Sequence, residues 1–174
     1  GTTPYREATG TGFDGGTRSA CIMKCPGKIK AGTTSTSTLC TVDILPTLAA
    51  LAGAELPDNP IDGKNVWDII AAKPGAKNPH KDDPFSTGRS FEGIISGNGR
   101  WKLHLPDGFR TLVEAANDGQ AGKYKQVRIG LSLFDMKKDP FETTNVLSGN
   151  QKIAERRKKV AEQHRQRFYP KQKT

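Results

Sequence analysis

Apolar and polar residues alternate most regularly between positions 100 and 105. The apolar side chains occupy every second position, as Trp101, Leu103 and Leu105. A period of two is typical of a strand that buries one face, and it assigns Lys102 and His104 to the polar face.

Two further strands are predicted beside this one. Residues 90–96 precede it, and the connecting Gly97-Asn98-Gly99 contains an Asn-Gly pair, which is a strong hairpin signal. Residues 131–136 follow it as an apolar run, and Pro140 then bars any continuation of the ladder. Weaker strand candidates lie at residues 112–116 and 127–129. The pattern predicts a small antiparallel sheet.

Helical spacing of apolar residues occurs first at positions 44–52, where five apolar side chains recur at intervals of three and four. Asp43 is placed to cap the N-terminus of this helix, Pro46 falls in its first turn, and Gly53 is a natural C-terminal stop. The pattern predicts one helix between Asp43 and Gly53.

A second helix is predicted from Asn150 to Phe168 at the end of the chain. Its apolar stripe contains Ile153, Val160, Ala161, His164 and Phe168. Arg157 falls inside this stripe, where we expect it to cost packing even if its charged end reaches solvent.

The first half of the chain has fewer periodic segments. Residues 20–23 form a short apolar run, which we interpret as a strand buried on both faces and ended by Pro26-Gly27. Residues 55–88 are rich in Pro, Asp and Lys, broken by a short helical piece at 66–71, and are interpreted as containing the linker. The adjacent Asp82 and Asp83 are expected to be a solvated pair in this stretch.

Composition limits what the chain can be. It has 174 residues, 34% of them hydrophobic, a mean hydropathy of −0.62, and 30 Gly and Pro residues in total, so much of it must be loop. The net charge is +9, but residues 151–174 contain nine Lys or Arg and two Glu, which leaves the remaining 150 residues near balance at +2. The chain therefore has a basic tail, and neither a membrane span nor a module that reads nucleic-acid bases is expected.

Isolated chemical signals in the chain are weak. Cys21, Cys25 and Cys40 have neither redox nor zinc spacing, and we expect buried free thiols. The segment from Gly10 to Gly15 satisfies G-x-G-x-x-G, but it follows a polar loop and does not open a helix, which argues against a dinucleotide site. His80, His104 and His164 lie far apart in sequence and form no triad or metal motif.

Several segments together resemble the sulfatases. That family commonly closes with G-R-W-K-L and then L-Y-D-L-x-x-D-P-x-E-x-x-N-L, and this chain has GRWKLHL at 99–105 and LFDMKKDPFETTNV at 133–146. Residues 6–32 resemble R-E-G-K-G-T-x-x-E-G-G-x-R with the strand and W-P-G-K-I that follow it, and Asp14 replaces the glutamate. TVDILPTLAALAGAELP at 41–57 and IDGKNVW at 61–67 resemble two further family patterns. The resemblance extends from Arg6 to about Val146.

The resemblance implies three candidate substrate-binding residues. In the family pattern the lysine after R-E-G contacts the sulfate group, and Thr9 occupies that position here. A hydroxyl donates one hydrogen bond but supplies no charge, and losing such an electrostatic donor costs on the order of 3–4 kcal/mol in the transition state. Either the protein has drifted away from the family's ordinary activity, or Arg6 or another cation substitutes for the lysine. His104 is a candidate substrate contact, because residues of this subdomain reach the rim of the cleft in some sulfatases.

The resemblance also implies what this segment should not contain. Sulfatases attack with a formylglycine made from Cys or Ser within C-x-P-S-R or a close variant, and none of the three cysteines here is followed by that pattern. The aspartates that bind calcium in the family normally lie upstream. We therefore expect calcium in the intact enzyme but no metal ligands in this chain, and we expect the chain to lack the N-terminal catalytic part and to be inactive alone.

The predicted fold class is α/β. Residues 1–72 are expected to be the last strand and helix of an alkaline-phosphatase-like sandwich, 73–88 a linker, and 89–174 a subdomain of about four antiparallel strands with a basic C-terminal helix. The resemblance implies a sulfated small molecule or polysaccharide as the substrate of the intact enzyme. It also implies a periplasmic or secreted location and dependence on the missing N-terminal domain.

Two alternatives stay open. The chain could be a non-catalytic module that binds a sulfated polysaccharide or another polyanion through Arg156, Arg157, Lys158 and Lys159. It could also be a truncated or split product that folds only with its other half. In that case apolar surface is expected to be exposed at residues 20–23 and 44–52.

Overall fold

The computed structural model describes residues 4–87, 90–115 and 117–169. In chain order its elements are α1 (Asp14–Thr17), a 3-10 turn (Thr41–Asp43), α2 (Ile44–Ala52), α3 (Trp67–Ile70), β1 (Asp82–Thr87), β2 (Ser90–Ser96), β3 (Trp101–His104), β4 (Asp107–Glu114), β5 (Lys123–Ile129), β6 (Ser132–Asp135) and α4 (Gln151–Phe168).

The main sheet has four strands in the order β1-β2-β3-β6. Strand β3 pairs antiparallel with both neighbours, so that Leu103 lies opposite Ile94 on one side and opposite Leu133 on the other. Directly opposed residues point to the same face of a sheet, so these three apolar side chains form one surface. The predicted hairpin between β2 and β3 is confirmed, with Gly99 at a φ of +67° donating its N–H to the carbonyl of Ser96.

Helix α4 covers this apolar surface of the sheet. Ala154 packs with Leu103 and Leu133. About two helical turns further along α4, Ala161 packs with Phe91 and Ile94. Small residues at these positions let the helix approach the strands closely, while Ile153, Val160 and Leu105 fill the sides. The predicted α/β fold, with an antiparallel sheet and a C-terminal helix, is confirmed.

The membership of the sheet differs from the sequence expectation. Strand β1 lies inside the segment predicted as a linker, and it is an edge strand, where the missing N–H of Pro84 is tolerated. The weak candidates at 112–116 and 127–129 overlap β4, which ends at Glu114, and β5, and residue 116 lies outside the described residues. These two strands form a separate sheet in which Asp107 lies opposite Ile129.

The strand predicted at residues 20–23 is not present. This segment has no regular structure, and Ile22 is 95% exposed. The expectation of buried thiols is also wrong, because Cys21 is exposed and Cys25 and Cys40 are only half-buried. A strand needs a neighbour to pair its backbone groups, and among the described residues all named strands lie between Asp82 and Asp135.

The described residues divide into two compact units. One comprises the chain up to Ser19, residues 84–95, and everything from Arg100, whereas the other comprises residues 20–83 and 96–99. The residues before Ala20 therefore belong with the sheet and α4. Among the helices of the described ranges, none combines the length and apolar character needed to cross a membrane.

The second unit contains the predicted helix α2, which is confirmed and ends at Gly53 with a φ of +65°. Asp43 does not cap α2, because its carboxylate instead accepts hydrogen bonds from the backbone N–H groups of Cys40 and Lys64. The apolar side chains Leu45 and Leu48 are 53% and 57% exposed. The helix thus presents apolar surface that the described residues leave in contact with solvent.

Packing of β3 against α4 makes a testable prediction. The Leu103→Ala variant is expected to lower the free energy of unfolding by about 2–5 kcal/mol, because Leu103 is fully buried and its loss leaves a cavity. Leu112→Ala is the matched control, since Leu112 is 43% exposed and should change stability by only about 0.5 kcal/mol. Urea unfolding followed by circular dichroism measures both, and equal effects would contradict the assigned packing.

Candidate functional site

The polar residues of β3 lie inside the protein, not at its surface. Lys102 is 1% exposed and His104 is 2% exposed, so the expectation of a strand that buries only one face is wrong. The face opposite α4 is covered by the N-terminal segment that precedes Ser19 and by the loop that follows β6. The strand is therefore buried on both sides, with apolar contacts on one and charged contacts on the other.

His104 is enclosed by aromatic rings. Phe13 stacks on it with 4.6 Å between ring centroids, and Phe85 and Phe134 meet it edge-on at 5.0 and 5.6 Å. Burial lowers the pKa of His104 from its ordinary value, although the hydrogen bond to Glu142 acts in the opposite direction. The imidazole is thus held neutral near pH 7, with Nε2 3.0 Å from Oε1 of Glu142.

Lys102 joins two carboxylates in the same interior. Its Nζ lies 2.7 Å from Oδ1 of Asp14 and 3.0 Å from Oε1 of Glu142, and the ring centroid of Phe85 is 5.1 Å away. A buried ammonium is tolerated only when it is paired and hydrogen-bonded, and here both carboxylates meet that requirement. Asp14, Lys102, His104 and Glu142 are called the ionic cluster below.

Glu142 is the most enclosed member of the ionic cluster, with no exposed surface. Its Oε2 accepts a hydrogen bond of 2.6 Å from the backbone N–H of Asp14, and its carbonyl oxygen accepts one of 2.7 Å from Nη1 of Arg6. Burial alone would raise the pKa of Glu142, but the bond from His104, the charge of Lys102 and the N–H of Asp14 outweigh it and lower that pKa. Glu142 is therefore ionised in the folded state.

The glycines of the N-terminal segment serve this packing. A side chain at Gly12 would collide with Phe85 and the carboxylate of Glu92, and one at Gly15 would collide with the carbonyl of Arg6, which the N–H of Gly15 contacts at 2.9 Å. These close approaches explain the G-x-G-x-x-G match without a nucleotide.

The three predicted substrate-binding residues are connected through this segment. Thr9 is exposed and precedes Gly10, whose φ of +94° marks a turn. Arg6 is half-buried, with its guanidinium carbon 4.2 Å from the ring centroid of Phe13. Phe13 in turn stacks on His104. Substrate contact by Arg6, Thr9 and His104 stays a prediction.

The four residues of the predicted polyanion patch do not share one environment. Arg156 and Lys159 are exposed, Lys158 lies 2.9 Å from Glu155, and Arg157 is 8% exposed, with its pKa lowered by burial. The helix turns Arg157 toward the sheet because it lies three residues from Ala154 and four from Ala161. Polyanion binding by this group also stays a prediction.

A second group of ionisable side chains lies in the unit that contains α2. His80 Nε2 is 2.7 Å from Oδ1 of Asp43, and its Nδ1 is 3.6 Å from Oδ1 of Asp83. Asp83 is only 9% exposed, so the expectation of a solvated Asp82-Asp83 pair is wrong for Asp83, and burial raises its pKa. These side chains connect the start of α2 to the start of β1.

The described residues do not fit a calcium site. Within them, no group of three or more His, Cys, Asp or Glu side chains is arranged to hold a metal ion. The carboxylates of Asp14 and Glu142 converge, but the ammonium of Lys102 contacts both and offsets one of their two negative charges. Calcium prefers six to eight oxygen ligands, and this arrangement supplies no such set.

The ionic cluster can hold the N-terminal segment and the loop after β6 in place against β3. Within the described part of the chain, the hydrogen bonds of its side chains run to one another or to the backbone N–H of Asp14, and aromatic rings enclose the imidazole. Sequence reasoning missed Lys102 and Glu142 as site residues, although both are motif positions. The one available signal was a lysine and a histidine on the same face of a strand in a family pattern.

Comparisons with known proteins agree with this fold. Human arylsulfatase A is 32% identical over 153 residues, which cover 83% of this chain and 29% of that protein. A sulfatase from Pseudoalteromonas sp. superposes with a TM-score of 0.69 at 20% identity, over 99% of this chain and 35% of its own. A structure solved with its substrate D-glucosamine-2-N,6-O-disulfate superposes with a TM-score of 0.50 at 22% identity, over 86% of this chain and 29% of its own. No protein-family model matches the chain.

The chain belongs to the sulfatases and corresponds to a C-terminal portion of them. It spans 29–30% of the length of the first curated relatives that it matches, the human and bovine arylsulfatases A.

Lys102→Met tests whether the ionic cluster depends on its ammonium. Removing one member of a buried charge group leaves the carboxylates of Asp14 and Glu142 uncompensated, so we expect a loss of about 3–5 kcal/mol in the free energy of unfolding. Lys123→Met is the control, because Lys123 pairs with Glu114 on the surface and should matter by at most about 1 kcal/mol. Denaturant unfolding of both variants at pH 7 makes the comparison, and equal losses would contradict the role of Lys102.

The pH dependence of stability should report His104. Because its folded-state pKa lies below the ordinary value of 6.5, the unfolded chain binds a proton first on acidification. Stability is therefore complete above about pH 6.5 and falls as pH drops toward the lowered value. The lowered pKa of Glu142 adds a further loss below about pH 4.5. His104→Gln should flatten the loss just below pH 6.5 in urea titrations, and an unchanged slope would exclude His104 as its source.

Proposed function

We propose that this chain is the C-terminal part of an enzyme that hydrolyses sulfate esters, and that it requires the rest of the sulfatase for catalysis. The observation that carries the proposal is the match to human arylsulfatase A over 83% of the chain. The exposed apolar side chains of α2, Leu45 and Leu48, support the requirement for further polypeptide, because such surface is normally covered.

In this proposal the segment that precedes Ser19 is the part of the chain closest to the chemistry. Thr9 takes the place of the sulfate-contacting lysine, and Arg6 is the nearest candidate cation in sequence. Residues 1–72 belong in sequence to the end of the catalytic core, although the part before Ala20 packs with the sheet and α4. Residues 73–88 lead from this core into the subdomain of residues 89–174 and contribute β1 to its sheet. Calcium in the intact enzyme is held by residues outside the described set, since the residues described here do not fit it.

The proposed substrate class is a sulfated small molecule or a sulfated polysaccharide. One structural neighbour was solved with a sulfated glucosamine as its substrate, which supports a sugar sulfate. The alternative of a non-catalytic polyanion module is not favoured, because Arg157 is buried and Lys158 pairs with Glu155, which divides the basic run on α4.

The purified 174-residue chain tests the proposal directly. We expect no hydrolysis of 4-nitrophenyl sulfate above the buffer rate, with an intact arylsulfatase as the positive control, because none of its cysteines lies in the family's C-x-P-S-R pattern. Circular dichroism on the same sample establishes that the chain is folded. Turnover that disappears on addition of EDTA would overturn the proposal, because the chain would then hold both nucleophile and metal.

A further inference from the structure

One residue, Glu142, binds both ends of the segment that carries Thr9. The carbonyl oxygen of Glu142 accepts from the guanidinium of Arg6, and its carboxylate accepts from the backbone N–H of Asp14. Between these two anchors the chain turns at Thr9 and Gly10 and returns. Residues 6–14 are called the anchored loop below.

The anchored loop is closed by its own backbone as well. The N–H of Gly15 donates to the carbonyl of Arg6 at 2.9 Å, and the hydroxyl of Thr11 donates to the carbonyl of Ala8 at 2.9 Å. Thr11, Gly12, Phe13 and Asp14 are buried, whereas Ala8, Thr9 and Gly10 are exposed. The loop therefore has a buried base fixed by Glu142 and an exposed tip at Thr9.

The backbone of Glu142 is held in a conformation that is unfavourable for a residue with a side chain. Its φ is +55°, a left-handed conformation that residues with a Cβ rarely adopt. Glycine would adopt it without strain, but glycine has no carboxylate. Such strain persists only where contacts with the surrounding structure fix the conformation of the residue. For Glu142 these are the hydrogen bonds of its carbonyl and its carboxylate.

The contacts of the carboxylate explain why glutamate fits and glutamine does not. Oε1 faces the donors Lys102 and His104, and Oε2 faces the N–H of Asp14. Both ends must therefore accept, which an ionised carboxylate does and an amide cannot, since its NH₂ end would point at a donor. Further charged groups at the anchored loop are Glu7, which accepts a hydrogen bond from Thr111, Glu92 beside Gly12, and Arg18, whose Nη1 lies 3.8 Å from Oδ2 of Asp14.

We propose that Glu142 is a positioning residue for the anchored loop, which it holds so that the sulfate-contact position, Thr9, is presented at the exposed tip. The identity of Thr9 as that position rests on the proposed function. The hold on the loop rests on the contacts of Glu142 alone.

Amide hydrogen exchange followed by NMR at pH 7 tests the hold. In Glu142→Gln, exchange of the amides of Asp14 and Gly15 is expected to accelerate at least about tenfold, the factor that corresponds to one lost charge-assisted hydrogen bond. Glu142→Gly should accelerate them as strongly, although it relieves the positive φ. If Glu142→Gly leaves these amides protected, the carboxylate does not hold the loop and the proposal fails.

Two controls separate this effect from general destabilisation. Glu114→Gln removes a surface carboxylate that pairs with Lys123 and should leave the exchange of the anchored loop unchanged. Leu103→Ala weakens the packing on the α4 side of the same sheet. In this variant amide exchange should accelerate in β3 and α4 at least as much as in the anchored loop. A loop that exchanges no faster in Glu142→Gln than in Leu103→Ala would overturn the proposal.

A binding measurement separates the proposal from the function on which it rests. Thr9→Lys restores the family's lysine, and titration with inorganic sulfate should then shift the amides of residues 8–11. Adding Glu142→Gln should lower the apparent affinity for sulfate in this titration at least about tenfold. A full response in the double variant would overturn the positioning role. No response in Thr9→Lys would contradict Thr9 as the sulfate-contact position. The exchange experiment would still test whether Glu142 fixes the anchored loop.

Discussion

The interaction on which the rest of this chain depends is the pairing of one buried ammonium, Lys102, with two carboxylates that come from opposite ends of the polypeptide. An unpaired charge in that interior would be prohibitively costly, so the strand can be buried on this face only if Asp14 and Glu142 are both delivered to it. That requirement brings the N-terminal loop and the loop after β6 against the same strand. The aromatic rings around His104 then complete a dry interior.

Local sequence patterns were sufficient to predict the elements whose structure depends mainly on neighbouring residues. The helical spacing and terminal Gly53 predicted α2, and the stripe of Ile153 and Ala161 predicted α4, because both depend on neighbours within a few residues. The burial of Lys102 and the exposure of Ile22 could not be predicted in this way. A period of two reports that two faces differ, but not that distant charged residues cover the polar one. An apolar run likewise becomes a strand only beside a partner.

The candidate site divides along the same line. Residue types and motif spacing identified the loop of Arg6 and Thr9 and the family to which it belongs. They did not reveal the support beneath the loop, because Lys102 and Glu142 matched the family's closing patterns, and those patterns do not show which distant residues they contact. In the structure the matched glutamate contacts the anchored loop through both its backbone and its side chain. A residue of a closing motif can therefore fix the position of a segment that is distant from it in sequence.

The contacts of Glu142 also have a consequence for the order of assembly. They join positions separated by 136 and 128 residues in the chain. Synthesis proceeds from the N-terminus, so the loop with Thr9 is made before Glu142 and cannot adopt this shape until the segment around Glu142 has also been made. Contacts of such long range also form late in folding, because the intervening chain must first lose its freedom. A nascent chain that has not yet reached Glu142 therefore lacks both anchors of the loop.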